Sequence, residues 1–252
     1  MRTSPPDRLR RVAGHTGDMS ERVDVPTPDG PMPAHRWLPP TGRGPGILLL
    51  QEIFGVSPYI RRRAEDLASR GYVVVAPEVF WRLGVSEVPN GPEMLQQAMG
   101  VVGDLDWDAA VSDAVRALGA LREQPEVEGG IGVVGFCFGG GLGYAVVAQE
   151  PADALVSFYG SALPQLVDAV PSVSTPSLHV FGESDSYLPM ETVERIRASV
   201  TEGGGPVEFE TYPGADHAFD NDDFVNHDAA ASAAAWARAT DYLARTLPTG
   251  GA

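Results

Sequence analysis

The chain has 252 residues, 43% of them hydrophobic, a size and composition that suit one α/β domain with one substantial buried core. Its 34 acidic and 18 basic residues leave a formal net charge of -16, which repels nucleic-acid phosphate and anionic lipid headgroups and points to a small molecule as the partner. No run approaches the ~18 apolar residues of a membrane span, the N-terminus lacks a secretory signal, and a single cysteine excludes an intrachain disulfide or a multi-cysteine metal site; the expectation is a soluble, cytoplasmic protein.

Residues 1–18 carry Pro5, Pro6, Arg8, Arg10 and Arg11 with little apolar content, which predicts a flexible N-terminal tail ahead of a single domain over 19–252. Met19 is a second candidate start. The β-prone runs Arg22 to Val25 and Met32 to Trp37, separated by Pro28, Asp29 and Gly30, predict an opening hairpin or meander. Continuous apolar runs of the kind buried on both faces then recur at Ile47 to Leu50, Tyr72 to Ala76, Ile131 to Val134, Leu155 to Phe158, Leu178 to Phe181 and Val207 to Thr211. Helical periods fall between them. Ile60, Ala64, Leu67 and Ala68 follow a Ser57-Pro58 start and are closed by Gly71; Trp107, Val111, Ala114, Leu118 and Leu121 follow Asp106; Val193, Ile196 and Val200 repeat the pattern. An alanine-rich stretch from Asp228 to Leu247 predicts a C-terminal helix over the sheet edge. Trp81 to Gly103, broken by Pro89, Asn90, Gly91 and Pro92, reads as a long connection serving the active site. The alternation defines an α/β fold with a mostly parallel twisted sheet and helices on both faces.

The segment Ile131 to Gly141 is an apolar strand running into Gly135-Phe136-Cys137-Phe138-Gly139-Gly140-Gly141, with a helix expected to begin near Leu142. This has the form of a nucleophile elbow. The sharp strand-to-helix turn strains the backbone at Cys137, so the residues two before and two after must be small. The turn also puts the thiol at the positive end of a helix and aims the Phe138 N–H at a developing oxyanion. Read alone, Cys137 is equally a small buried hydrophobe ending a core strand. Two later strands alter the balance: Val180 to Pro189 ends in a polar loop with Asp185, and Glu210 to Phe219 ends in a loop with His217. Nucleophile, acid, base is the chain order of this fold's triads, and all three would sit at the carboxyl ends of parallel strands. Asp216 and Glu183 compete with Asp185 for the acid, and Asp185 by itself could be a turn or capping residue. Of five histidines, His15, His35, His179 and His227 lack the address of His217. A fourth segment, Leu48 to Val56, ends a buried strand in Glu52, a candidate partner for the thiol, and the following loop offers the Ile53 N–H as second oxyanion donor.

Taken together, QEIFGV (51–56), PEVFWR (77–82), GFCFGGG (135–141), GESDSYLP (182–189) and YPGADHAF (212–219) resemble the dienelactone hydrolase (carboxymethylenebutenolidase) family from about Arg22 to the C-terminal helix. The resemblance implies a monomeric α/β-hydrolase fold without metal or organic cofactor. It implies Cys137 as nucleophile, His217 as general base and acid, Asp185 as its orienting group, and the Ile53 and Phe138 N–H groups as oxyanion hole. It further implies that Glu52 holds the resting thiol, and that an arginine matching Arg82 binds a substrate anion and competes for Glu52, making activation substrate-dependent. A second substrate-binding arginine of the family is replaced here by Asn221, among Asp220, Asp222 and Asp223. Loss of one charge-assisted pair, typically worth ~1.5–3 kcal/mol, argues against the anionic dienelactone as substrate. The function expected is a cysteine-dependent lactone or small-ester hydrolase working through a thioester. The alternatives are a non-catalytic small-ligand-binding protein on the same fold and a redox-sensing thiol.

Overall fold

The computed structural model describes residues 10–11, 20–167, 173–202 and 205–250. In chain order the strands and helices are β1 (Arg10–Arg11), β2 (Glu21–Thr27), β3 (Gly30–Trp37), β4 (Gly44–Leu50), α1 (Pro58–Ser69), β5 (Val73–Pro77), α2 (Met94–Gly103), α3 (Trp107–Arg122), β6 (Val127–Phe136), α4 (Phe138–Gln149), β7 (Ala154–Phe158), α5 (Leu163–Leu166), β8 (Ser177–Gly182), α6 (Met190–Glu202), β9 (Val207–Tyr212) and α7 (Ala229–Thr246). Most of the expected tail, with Met19, lies outside the described residues; Arg10 and Arg11 pair antiparallel with Asp24 and Val23.

Among the described residues the strands form one nine-stranded sheet in the order β1-β2-β3-β5-β4-β6-β7-β8-β9. The opening meander pairs antiparallel as far as β3 on β5, and from β5 to β9 every pairing is parallel. The continuous apolar runs have the predicted cause, except Val207 to Thr211: β9 is the edge strand and each of its residues is only half-buried. Every residue of β5, β7 and β8 is buried, as a parallel strand covered on both faces requires. Helices α1 and α7 share one face, joined by the Arg63 guanidinium over Trp236 at 4.3 Å and by Trp236 Nε1 donating to Asp66 at 2.7 Å. Helices α3 and α4 pack together on the other. Ser57 caps α1 by accepting from Ile60 N–H, and Asp106 caps α3 by accepting from Ala109 N–H. Helix α7 lies over β7, β8 and the edge strand β9.

Two expectations need correction. The elbow helix starts at Phe138, four residues before Leu142, because Cys137 itself occupies the N-cap position. The connection from Trp81 to Gly103 is not irregular: it holds a 3₁₀ turn at Trp81–Leu83 and the ten-residue α2. Gly100 and Gly103 dilute the helical period of α2, and its one fully buried residue, Ala98, anchors it on a small cluster with Phe54 and Val88, apart from the main core.

Candidate active site

The elbow is built by the close approach of three backbone segments. Cys137 sits at φ 52 and ψ -114, a conformation costly for a residue with a side chain. A Cβ on Gly135 would stand 2.0 Å from the Gly139 carbonyl oxygen, and one on Gly139 would stand 2.3 Å from that of Leu50, so both positions must lack one. The strain is held in place by hydrogen bonds: Cys137 N–H donates to Phe158 O at 2.9 Å, and Cys137 O accepts from Ser161 N–H at 3.0 Å. The other described non-glycine residues with positive φ are Tyr159, at the end of β7, and Ala218, next to His217. Cys137 and Ala218 line one cleft, and Tyr159 is buried beside the His217 ring.

At its floor the chain brings together the residues predicted for the triad. His217 Nε2 lies 3.1 Å from Cys137 Sγ, and His217 Nδ1 lies 2.8 Å from Asp185 Oδ2. The other oxygen of Asp185 accepts the Tyr187 and Leu188 N–H groups at 2.8 and 2.7 Å, which fixes the carboxylate toward the ring. Its competitors are occupied elsewhere: Asp216 accepts from the Ser186 and His217 backbone, and Glu183 from Thr211 Oγ1. Burial works against an imidazolium here, yet the hydrogen bonds and charges of Asp185 and Cys137 outweigh it and lift His217 from 6.5 to about 10. A raised histidine stabilises the fold below pH ~6.5 and loses that contribution as pH rises through about 10. Ser161 Oγ, 3.6 Å from Sγ, is a further polar neighbour of the thiol. His35 and His179 bond Glu78 and Ser177 respectively and take no part in the cleft.

Glu52, two residues past the end of β4, lies at the same cleft but is held from behind. Asn221 Nδ2 donates to its Oε2 at 2.6 Å and Tyr159 OH to its Oε1 at 3.3 Å. Burial raises its carboxyl from 4.5 to about 7, against the opposing effects of the Asn221 hydrogen bond and the His217 charge. Behind Tyr159 the polar network continues through Tyr59, 3.5 Å away, to Asp220, which Arg63 binds through both Nε and Nη2 and Ser232 bonds at 2.8 Å. The loop after Glu52 is stitched to the 84–88 segment by Val56 N–H to Ser86 O and Val88 N–H to Phe54 O, which sets Ile53 at the cleft wall opposite the first turn of α4.

Three expectations change. The thiol faces His217 and Ser161, whereas the described partners of Glu52 are Asn221 and Tyr159. Arg82 does not reach the cleft: its guanidinium forms a fork on Asp113 at 2.9 and 3.0 Å, bonds Asp29 at 2.7 Å and stacks on Trp81. Asp113 is 1% exposed, and a buried carboxylate must keep its cationic partner, so Arg82 is committed. Asn221 is 2% exposed and lies behind Glu52, turned inward, with its own oxygen accepting from Asp223 N–H; it is not positioned as a substrate clamp. Asp220 and its acidic neighbours also face away, bound by Arg63 and Arg62.

The cleft, about 130 Å³ and partly open to solvent, is mainly apolar. Its wall includes Leu95, Met99 and Val102 of α2, together with Phe54, Phe224 and Tyr187. Sequence reasoning missed these, and Ser161 and Tyr159. The spacing of Met94, Ala98 and Val101 is the signal that could have shown α2, and the ends of β7 and β8 are where an open parallel sheet places ligands. Among the described residues no group of three or more His, Cys, Asp or Glu side chains is arranged to hold a metal ion. No described helix is long and apolar enough to cross a membrane.

A mostly parallel sheet with a strained cysteine at a strand-to-helix turn, and an acid and a histidine on the following strand ends, has the form of an α/β-hydrolase. The chain belongs to the dienelactone hydrolase family, whose model matches residues 32–247. It is 32% identical to the carboxymethylenebutenolidase of Pseudomonas sp. (strain P51), over 86% of this chain and 91% of that protein. It is likewise 32% identical to carboxymethylenebutenolidase 1 of Cupriavidus pinatubonensis, over 90% and 97%. A crystal structure from Klebsiella pneumoniae subsp. pneumoniae MGH 78578, ascribed to a dienelactone hydrolase, superposes with a TM-score of 0.76 at 26% identity, covering 90% of this chain and 98% of that one. The chain is therefore a lactone or ester hydrolase, and the reading as a non-catalytic binder is set aside.

Proposed function

We propose that this hydrolase works through a cysteine nucleophile and a thioester acyl-enzyme. The observation that supports it is the line Cys137 Sγ, His217 Nε2, His217 Nδ1, Asp185 Oδ2, with spacings of 3.1 and 2.8 Å, on an elbow that only Gly135 and Gly139 permit. His217 Nε2, 3.1 Å from Sγ, is placed to take the thiol proton, so Glu52 is not needed to remove it. The thiolate attacks the acyl carbon, forming a C–S bond and placing the negative charge on the carbonyl oxygen. The N–H groups of Phe138, the unpaired first turn of α4, and of Ile53 are the donors for that oxygen. Collapse breaks the C–O bond, and His217 Nε2 gives its proton to the departing alkoxide. Water then attacks the thioester and yields a proton to His217; the C–S bond breaks, releasing the acid and restoring the thiolate. Asp185 keeps the imidazole oriented throughout. Every group used comes from one chain, consistent with action as a monomer, and a lone nucleophilic thiol suits a reducing cytoplasm.

The test is to mix the protein with p-nitrophenyl acetate and follow both p-nitrophenolate release and intact mass. An acetyl adduct on Cys137 with a burst of one equivalent is expected, and Cys137→Ala, folded by circular dichroism, loses about 10⁴-fold or more in kcat/KM. Full turnover by that variant removes the nucleophile assignment.

A further inference from the structure

The deepest unexplained feature of the cleft is its wall rather than its floor. Leu95 and Met99, one turn apart on α2, line the cavity that holds Cys137, yet they are 50% and 49% exposed, while Ala98 between them faces inward. Leaving two large apolar side chains in water is costly, and contiguous apolar surface on a soluble protein marks a binding groove. Phe224, in contact with Phe54 at 5.6 Å between ring centres, continues the same surface, and Tyr187, 59% exposed, stands on it beside the His217 ring. Among the described residues lining the cleft there is no lysine or arginine; the His217 ring is engaged by Cys137 and Asp185, the one carboxyl is Glu52, and Arg82 is spent on Asp113. The net charge of -16 adds a general disfavour toward anions.

Building on the mechanism above, we propose that the cleft selects an uncharged ester or lactone bearing an extended apolar chain, which lies along Leu95, Met99 and Phe224 while its carbonyl meets Cys137. Such a chain covers the exposed face of α2 without asking the site for a cation, and the thioether of Met99 adapts to chains of differing shape. A carboxylate on the substrate would have to be desolvated against hydrocarbon and beside Glu52 with no free cation, since both nitrogens of His217 are engaged by Cys137 and Asp185.

The chain can sit on either side of the ester bond, so two series separate the sources: p-nitrophenyl alkanoates from acetate to octanoate, and alkyl acetates from methyl to octyl. kcat/KM is expected to rise about two- to fourfold per methylene over several carbons in one series, which assigns the side. In Leu95→Asn and Met99→Asn, both at exposed positions, the octyl-to-acetyl ratio should fall about tenfold. A third arm compares p-nitrophenyl butyrate with the p-nitrophenyl monoester of succinic acid, and the neutral ester should be favoured by at least ~30-fold. Flat chain-length profiles in both series, or equal use of the anionic ester, overturn the proposal. If acetate still acylates Cys137 in that case, the mechanism stands and only the specificity reading falls; absence of any Cys137 adduct with every ester brings down both.

Discussion

The floor and the wall of the cleft are built on opposite plans. The floor stands on β6, β8, β9 and α4: Cys137 and Asp185 are buried, the backbone is strained, and each polar atom is aimed by a named partner. The wall stands on α2, a ten-residue helix with no side-chain cap, two glycines and a single buried residue, resting on the satellite cluster of Phe54, Val88 and Ala98. Chemistry needs reacting atoms held to fractions of an ångström, so it is placed where packing over-determines position. Recognition of apolar groups is non-directional and tolerates a looser support. The difference also orders the free energies: opening of α2 exposes little, whereas moving any part of the elbow disrupts the central sheet.

The sharpest way to break this contrast is at the elbow. Gly139→Val places a branched side chain where a Cβ alone stands 2.3 Å from the Leu50 carbonyl oxygen, a backbone atom of a central strand that cannot retreat. A loss exceeding ~4 kcal/mol, seen as insoluble expression or collapse of the thermal transition, is expected; a well-folded variant would show the floor to be less rigid than described. Next in size is Asp185→Asn, which keeps the shape but loses the anion behind the imidazolium. Turnover should fall by about 10²–10⁴-fold. Asp216→Asn, which alters only a backbone bridge between loops, should stay within ~10-fold, and a reversal of the two would reassign the acid. Smaller still is the dynamic contrast: amides of α2 should exchange with deuterium at least ~10-fold faster than those in the body of α4, as measured by mass spectrometry of peptic peptides. Comparable protection would make α2 part of the core.

The smallest effect is a change of slope. Glu52 keeps its proton in the native protein up to about pH 7 but releases it near 4.5 when unfolded, so between those values the native state binds more protons and stability falls as pH rises. Glu52→Gln removes this contribution. The stability difference between wild type and variant, from urea unfolding at pH 5 and pH 7, should shift against the wild type at the higher pH. An unchanged difference would mean that Asn221 and Tyr159 stabilise the carboxylate as well as water does. The triad region behaves otherwise in that window, since the contribution of His217 is lost only between about pH 6.5 and 10.

Much of the molecule was legible in one dimension because its signals are local. Apolar runs mark strands buried on both faces, Ser57 and Asp106 mark helix starts, and Gly135 and Gly139 flank a lone cysteine where a turn requires small residues. The elbow glycines, the strand-end positions and the family resemblance together pointed to Cys137, Asp185 and His217, since connectivity in a parallel sheet places successive strand ends on one rim. The direction of a side chain has no such local signature. Arg82 and Asn221 seemed to belong to the substrate, but a guanidinium goes to the nearest buried carboxylate, and Asp113, 31 residues away in the chain, claimed it. Asn221 proved to be the support of Glu52, 169 residues distant. What the sequence by itself determined is the fold, the elbow and the chain order of Cys137, Asp185 and His217. Which cations remain free for a ligand, and what faces the cleft in their place, was decided only by tertiary structure, because the desolvation of buried charge is settled between residues far apart in the chain.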